Sequence, residues 1–470
     1  MPVLHHGFTL ERLQGMNIIC ITQALFNFSF FGFKSLFVLY ALNKYGMETP
    51  EAMELFAALM AISYATSLIG GYLADKVIGA RALLLIGGCL SSLGVMLLSF
   101  ESFLVIGLSL LSLGAGCIKP TFSTMLSLIF HDPQDPRKER AFTLLYISMN
   151  AGSFTGPLAS GIINQWYGWN TSFLVISSIF AVGTPFFFTK TRNLATLTQN
   201  INKKDLLKLM LILLLTLSII AFFLAYYSYF HGLMGSIVII SLISFSLIFY
   251  RSTIEERQQL AKVACYILLF AFSCSLFEQA GSSLMLFFDQ AVDRKVLGFT
   301  LPSSTLLSYE PLFTLSLGIV MARYFKEHEK TKSSKNGFLK FGIGFLFISF
   351  SFGLLAFGLK IEKLPISLLW IITSIVLQTI GELFIVPIGF ATVSKLSPRR
   401  YLGTMMGFWL MAISYGHYLA GFLAKFSLPS GAQAFNLENY LSFFLFLSLM
   451  ALAVSILLFI VQIKNKAVSV

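Results

Sequence analysis

The sequence predicts an all-α polytopic membrane protein, and three observations carry that prediction. Hydrophobic residues make up 56% of the 470-residue chain and charged residues only 11%, less than half of the roughly 25% typical of a soluble domain. The apolar residues are gathered in runs that reach the length of about 20 residues needed to cross a bilayer as a helix. Most charged residues lie in the short stretches between those runs. A soluble enzyme, a nucleic-acid-binding module and a disordered chain are therefore excluded as main interpretations.

Fourteen apolar segments are long enough to span the membrane. The first begins near Met16 and is interpreted as a retained helix rather than a cleaved signal, because it is long and contains Lys34. Residues 81–126 are divided at 100–102, since one helix of that length would be about 69 Å long, over twice the hydrocarbon thickness. The predicted spans are 17–42, 51–73, 81–100, 103–126, 141–164, 168–189, 206–229, 233–250, 263–288, 304–325, 338–359, 365–394, 402–424 and 439–463.

The basic residues predict the orientation. An even number of spans places both termini on one side, and if that side is the cytoplasm it holds 25 of the 33 Lys and Arg residues. Such an excess is the usual signature of cytoplasmic loops. We therefore expect an inner-membrane protein with both termini in the cytoplasm. The net charge of +12 then reflects topology, and no nucleic-acid partner is expected.

Long basic connections divide the spans into six, two and six. The predicted domains are an N-terminal six-helix bundle over 1–200, two additional helices over 201–255 and a C-terminal six-helix bundle over 256–470. Two such bundles around a central cavity are typical of secondary transporters. The five cysteines lie inside apolar segments without metal-ligand spacing, so we expect no disulfide framework, metal site or cofactor.

Ionisable residues inside the spans are the first functional candidates, because a charge at the bilayer centre costs about 2.5–3.5 kcal/mol on insertion scales. The alternative is a structural ion pair that fixes helix packing. His417 is expected to be a hydrogen-bonded packing residue. The candidates are Lys34, Lys119, Glu278, Glu310 and Glu382.

Polar neighbours of these residues share helix faces. Asn27 lies on the same face of the first span as Lys34, and Tyr146 lies one turn before Asn150 in the fifth. Gly152 and Gly156 would let another helix approach the fifth span closely. The alternative for each polar patch is hydrogen bonding between helices. If the patches face one cavity, ammonium and carboxylate groups are both available to a substrate.

Several stretches resemble the proton-dependent oligopeptide transporter family of the major facilitator superfamily. Residues 70–81 resemble the superfamily's loop between helices 2 and 3, and 114–120 resemble the family's helix-4 GxGxxKP motif. Residues 142–157 are similar to its helix-5 FYxxxNxGS signature. Helix 7 of the family resembles residues 277–283, helix 10 resembles 381–398 and helix 11 resembles 403–421.

The resemblance implies roles for individual residues. Lys119 would contact the peptide carboxylate or pair with a carboxylate during the cycle, and Glu382 would hold the peptide ammonium. Tyr146 and Asn150 would line the peptide pocket. Glu278 would pair with a cation across the cavity, with Lys34 at the position of the arginine that forms this outer-gate pair. Asp75, in the loop between helices 2 and 3, would take part in gating; its alternative is a solvated topology determinant.

The chain departs from the family pattern in two places. The helix-1 ExxERF motif falls on residues 23–28, where both carboxylates and the arginine are replaced and Asn27 remains as a candidate pocket residue. Glu310 stands before Pro311 where the family has asparagine. We therefore expect proton coupling, if kept, to use Glu278, Glu310 or Glu382; Glu310 is alternatively a pocket ligand without a coupling role.

These observations predict a monomeric, proton-coupled importer of di- and tripeptides that works by alternating access in a lipid bilayer. The first alternative is a transporter of amino acids or other peptide-like solutes with altered or absent proton coupling. The second is a membrane-embedded enzyme. An enzyme would need a cluster of catalytic His, Asp or Cys residues at a membrane surface, and the sequence offers none.

Overall fold

The structure is a computed structural model that describes residues 10–129, 136–191, 202–226, 230–328, 337–398, 401–427 and 436–467. Most of the described backbone is helical. The α-helices are α1 Leu10–Tyr45, α2 Thr49–Ala65, α3 Ser67–Lys76, α4 Ala80–Leu97, α5 Leu104–Ile129, α6 Pro136–Lys190, α7 Lys203–Ala225, α8 Phe230–Tyr250, α9 Ile254–Phe277, α10 Ser283–Ala291, α11 Leu306–His328, α12 Gly337–Ile361, α13 Leu368–Leu396, α14 Leu402–Ala424 and α15 Leu437–Ala467.

The helices confirm the predicted all-α membrane fold. Among the described residues, eleven helical stretches are long and apolar enough to cross a membrane, and this number does not confirm the predicted fourteen spans. One stretch covers 47 residues, Leu144–Lys190, but α6 is interrupted there at Gly168, whose φ is 79°. Glycine adopts a positive φ without steric cost, so the chain breaks where the predicted fifth and sixth spans meet. The predicted division of 81–126 is confirmed, because α4 ends at Leu97 and α5 begins at Leu104.

Four two-residue strands accompany the helices. They form two small pairings, one parallel between β1 and β4 and one antiparallel between β2 and β3. The β2–β3 turn contains Leu297 and Gly298, both with positive φ, as expected of a tight hairpin. The strands are β1 Val292–Asp293, β2 Lys295–Val296, β3 Phe299–Thr300 and β4 Ile366–Ser367.

The chain forms two compact units. The first contains residues 1–40 and 62–227, and the second contains 41–61 and 228–470. The predicted domain limits at residues 200 and 255 stay a prediction.

Small residues allow close helix packing in the first unit. A Cβ atom at Gly152 of α6 would overlap the Ala24 carbonyl oxygen of α1 and lie 2.9 Å from the Asn27 Cβ. At Gly156, a Cβ would overlap the Phe28 carbonyl oxygen. The predicted close approach of a helix at these two glycines is therefore confirmed, and the helix is α1. This packing brings the polar face of α1 against α6.

A helix break organises the second unit. α9 ends at Phe277, and a 3-10 turn over Glu278–Gly281 separates it from α10. The Gln279 amide donates to the backbone oxygens of Ser275, at 3.0 Å, and Ala420, at 3.2 Å, and accepts from Ser283 Oγ at 2.6 Å. Such discontinuous helices are tolerated at membrane depth where neighbouring groups satisfy the backbone. The break places the Glu278 carboxylate at the end of α9.

Candidate functional site

Lys119 lies in α5 of the first unit, in front of Pro120. Its Nζ donates to the Ser63 carbonyl oxygen at 3.5 Å and lies 3.2 Å from the centroid of the Tyr64 ring. The Phe30 ring lies on another side, 4.5 Å from its centroid to Nζ. Aromatic faces attract ammonium groups by about 0.5–2 kcal/mol. The Lys119 ammonium thus contacts neutral groups of α1 and α2.

Asn27 joins α1 to α6 through neutral hydrogen bonds. Its amide nitrogen donates to the Met149 carbonyl oxygen at 3.1 Å and to Ser153 Oγ at 3.2 Å, and its oxygen accepts from Gln23 Nε2 at 2.9 Å. Gly152 makes this contact possible because it has no Cβ to push α1 away. Where the family has an arginine, the chain thus has an amide that connects two helices.

Tyr146 and Asn150 lie one turn apart in α6. Tyr146 is 47% exposed. Asn150 is buried, and its side-chain nitrogen donates to the Tyr146 carbonyl oxygen at 3.0 Å. Lys34 is buried in α1, with Nζ 5.6 Å from the centroid of the Phe31 ring. The backbone of Asp75 lies in the last turn of α3, and its side chain lies outside the described part of the chain.

In the second unit, three carboxyl groups gather from three helical elements. Glu310, in α11, and Glu382, in α13, lie close enough for their side chains to interact, and the Glu278 charge acts on Glu382 as well. Glu310 Oε1 also accepts from Thr314 Oγ1 at 2.8 Å. Carboxyl groups held close together cannot all ionise without repulsion, which favours a proton on one of them. This cluster is therefore suited to hold a proton and to change its charge by releasing it.

Glu278 has an imidazole partner. Its Oε2 lies 3.2 Å from Nδ1 of His417, in α14, and the His417 side chain is 1% exposed. The sequence predicted only a packing role for this histidine. No spacing pattern could have shown the pair, because the two residues lie on different helices far apart in the chain.

The structure thus sorts the predicted residues by unit. Lys119, Asn27, Tyr146, Asn150 and Lys34 lie in the first unit, while the three glutamates Glu278, Glu310 and Glu382 lie in the second. It brings together Asn27 with the Tyr146–Asn150 helix, and the glutamates with one another. Among the described residues, no group of three or more His, Cys, Asp and Glu side chains could hold a metal ion.

Comparisons with known proteins place the chain in a family. Residues 76–436 match the family described as the POT family. The dipeptide and tripeptide permease A of Salmonella typhi is 25% identical over 451 residues, which cover 93% of this chain and 89% of the relative. A peptide transporter of Yersinia enterocolitica is 27% identical over 440 residues, 84% of each chain.

Solved structures share the fold. A crystal structure of a mutant of the peptide transporter POT in complex with alafosfalin has a TM-score of 0.85 at 24% identity, over 96% of this chain and 94% of that one. A POT family transporter in complex with 5-aminolevulinic acid has a TM-score of 0.82 at 22% identity, over 96% of both chains.

The match covers most of the chain, from the end of α3 to the beginning of α15. It confirms the resemblance found in the sequence and the prediction of a transporter rather than an enzyme. Together with the apolar helices, it identifies a multi-pass inner-membrane protein. The chain belongs to the POT family.

Proposed function

We propose that the protein imports di- and tripeptides by alternating access and couples this transport to protons. The observation that carries the proposal is the carboxyl cluster of the second unit, in which Glu310 and Glu278 both act on the Glu382 carboxyl group. Carboxyl groups placed within the membrane are expensive and mark ion or substrate pathways. The relatives named as dipeptide and tripeptide permeases support the substrate class.

A zwitterionic peptide requires one cationic and one anionic partner. Lys119 binds the peptide carboxylate by a charge-assisted hydrogen bond, and Glu382 binds the peptide ammonium. Tyr146, Asn150 and Asn27 form the polar wall of the first unit, with the exposed Tyr146 ring as a surface for varied side chains. Recognition of both termini selects short peptides over longer ones.

Proton coupling uses the fact that a bound ammonium competes with a proton for the same carboxylates. Glu310 and Glu382 hold a proton between them, and Glu278 changes its charge state as access changes. Lys34 and Asp75 take part in gating, and the transporter works as a monomer with both termini in the cytoplasm.

A second candidate function is transport of amino acids or other peptide-like solutes without proton coupling. The observation that favours it is the altered helix 1. The position of the family's arginine is occupied by Asn27, whose contacts are neutral hydrogen bonds to α6. A helix-1 proton site is thereby replaced with a packing contact.

Uptake in proteoliposomes separates the two. Labelled dialanine is supplied outside vesicles on which a pH gradient and a membrane voltage are imposed separately. We expect accumulation driven by an inward proton gradient, with competition by unlabelled di- and tripeptides and weak competition by free alanine. Dialanine uptake that is the same with and without the pH gradient and the membrane voltage would contradict proton coupling. Competition by free alanine alone would favour the second candidate.

A further inference from the structure

The pair formed by Glu278 and His417 is not explained by the roles given above. His417 is almost completely buried, at 1% exposure, and its Nδ1 lies 3.2 Å from Glu278 Oε2. A buried imidazole beside a carboxyl group has two ways to hold one proton, on the carboxyl oxygen or on the ring nitrogen. Both arrangements carry the same total charge, so a proton can pass between the two groups without a change in the charge of the pair.

The backbone fixes this contact. Gly416 lets α14 approach α9, because a Cβ atom at that position would overlap the Cβ of Cys274. The Gln279 amide, in the turn that follows Glu278, donates to the Ala420 carbonyl oxygen of α14 at 3.2 Å. Two independent contacts, one on either side of the pair, therefore hold the helix break against the helix that carries His417.

Other titratable and charged groups lie on α14 and on neighbouring elements of the second unit. They are Cys274 on α9, Glu54 on α2 with its ion-pair partner Lys425, Tyr415 and Tyr418 on α14, and Glu310 and Glu382 on α11 and α13.

We propose that His417 is a proton-binding residue of the transport cycle and forms with Glu278 a pair that holds the coupled proton. This inference rests on the proposed proton-coupled transport. The proton passes from Glu278 Oε2 to His417 Nδ1, so that the O–H bond breaks as the N–H bond forms, and it leaves the pair by the reverse transfer through the Glu278 carboxylate, which is 20% exposed whereas His417 is buried. Helix 1 lacks the carboxylates of the family pattern at Gln23 and Phe26, and the imidazole of α14 supplies a second proton site in the other unit.

The pair predicts a particular pH dependence. Two groups that share one proton keep it to a higher pH than the carboxyl group alone, because the charged pair is stabilised at short distance. In His417→Gln the side chain keeps a polar amide but cannot accept the proton. The alkaline limb of transport is therefore expected to move to lower pH by about one unit.

The test is dialanine counterflow in proteoliposomes with equal pH on both sides, measured from acid to alkaline pH. Ser414→Ala is the matched control, since it removes a hydrogen bond of α14 to the Ala61 carbonyl oxygen but no titratable group. We expect Ser414→Ala to keep the wild-type midpoint of the alkaline limb, whatever its overall rate of counterflow. A His417→Gln profile with the wild-type midpoint would overturn the proposal.

A second measurement does not depend on transport. The ring-nitrogen resonances of isotope-labelled histidine are titrated in the purified protein, and the His417 signal is assigned by its loss in His417→Gln. We expect its midpoint to move to lower pH in Glu278→Gln, which removes the anionic partner. An unchanged His417 midpoint in Glu278→Gln would overturn the proposed pair. If the His417 midpoint moves but the wild-type protein does not take up dialanine, the proposed function is contradicted and the proposed pair is not.

Discussion

The intramembrane polar groups of the two units have different kinds of neighbours. In the first unit, the contacts of Lys119 and Asn27 described above are with aromatic rings, carbonyl oxygens, a hydroxyl and an amide. In the second, Glu310 contacts Glu382, and Glu278 contacts His417. Partners of the first kind do not change charge, whereas those of the second kind can exchange protons. On the proposed function, in which Lys119 binds the peptide and the second-unit carboxyl groups bind the proton, we expect substrate recognition and proton chemistry to be separable by mutation.

The largest effect is expected for Glu310→Gln, which keeps the shape of the side chain but removes its ability to ionise. Since Glu310 lies beside Glu382 and interacts with it, loss of its proton should uncouple transport, and gradient-driven dialanine uptake should fall by about a hundredfold, at the upper end of typical coupling energies. Counterflow at equal pH should be largely retained. Glu255→Gln, the same change at an exposed position of the same unit, is the control and should behave as wild type. Equal losses in uptake and counterflow would assign Glu310 to the pocket instead.

Lys119→Gln tests the first unit. Loss of a charge-assisted hydrogen bond to the peptide carboxylate should raise the KM for dialanine about thirtyfold, equivalent to about 2 kcal/mol. The ratio of gradient-driven uptake to counterflow should not change, because the groups that we propose to bind the proton lie in the second unit. Lys204→Gln replaces an exposed lysine of the first unit and is expected to leave KM unaltered. A loss of coupling in Lys119→Gln would break the separation between the units.

Gly152→Ala tests the α1–α6 packing that holds the neutral network. The added Cβ would meet the Ala24 carbonyl oxygen of α1, and overpacking of this kind costs about 2 kcal/mol. The apparent Tm in detergent should fall. Gly71→Ala, where an added Cβ meets nothing within 4 Å, is the matched control and should leave Tm nearly unchanged. Equal Tm values for the two variants would show that the glycine contact does not determine the packing of α1.

The smallest effect is expected for Asn27→Ala. It removes the hydrogen bonds to Met149 and Ser153, with a loss of stability of about 1 kcal/mol. The apparent Tm measures that loss, and the pH profile of counterflow should keep its midpoint because Asn27 does not titrate. A shifted midpoint would mean that α1 still contributes to proton binding.

Much of the fold could be predicted from the sequence because hydrophobic run length is a local property. The break between α4 and α5 and the packing role of Gly152 and Gly156 follow from composition and small-residue spacing. The break in the ninth predicted span, 263–288, was not predicted, although Glu278, Gln279 and the following Gly and Ser residues already form a polar run there. An α-helix interrupted by a 3-10 turn depends on tertiary partners such as the Ala420 carbonyl oxygen.

The candidate site could be predicted only in part. A charged residue inside a membrane span costs free energy and is therefore rare, so the candidates can be recognised in the sequence. They include Lys119, Glu278, Glu310 and Glu382. Which of them meet is a property of helix packing. The contact of His417 with Glu278 depends on Gly416 and on the turn after α9, and neither feature reveals its partner in one sequence.

The central claim, that peptide import is coupled to protons through the second unit, is tested most directly by proton movement on addition of peptide. Proteoliposomes that contain a pH-sensitive dye and hold no imposed gradient receive external dialanine. We expect the lumen to acidify as dialanine enters, and no acidification in Glu310→Gln proteoliposomes that still perform counterflow. Entry of labelled dialanine into wild-type vesicles without acidification would contradict the account.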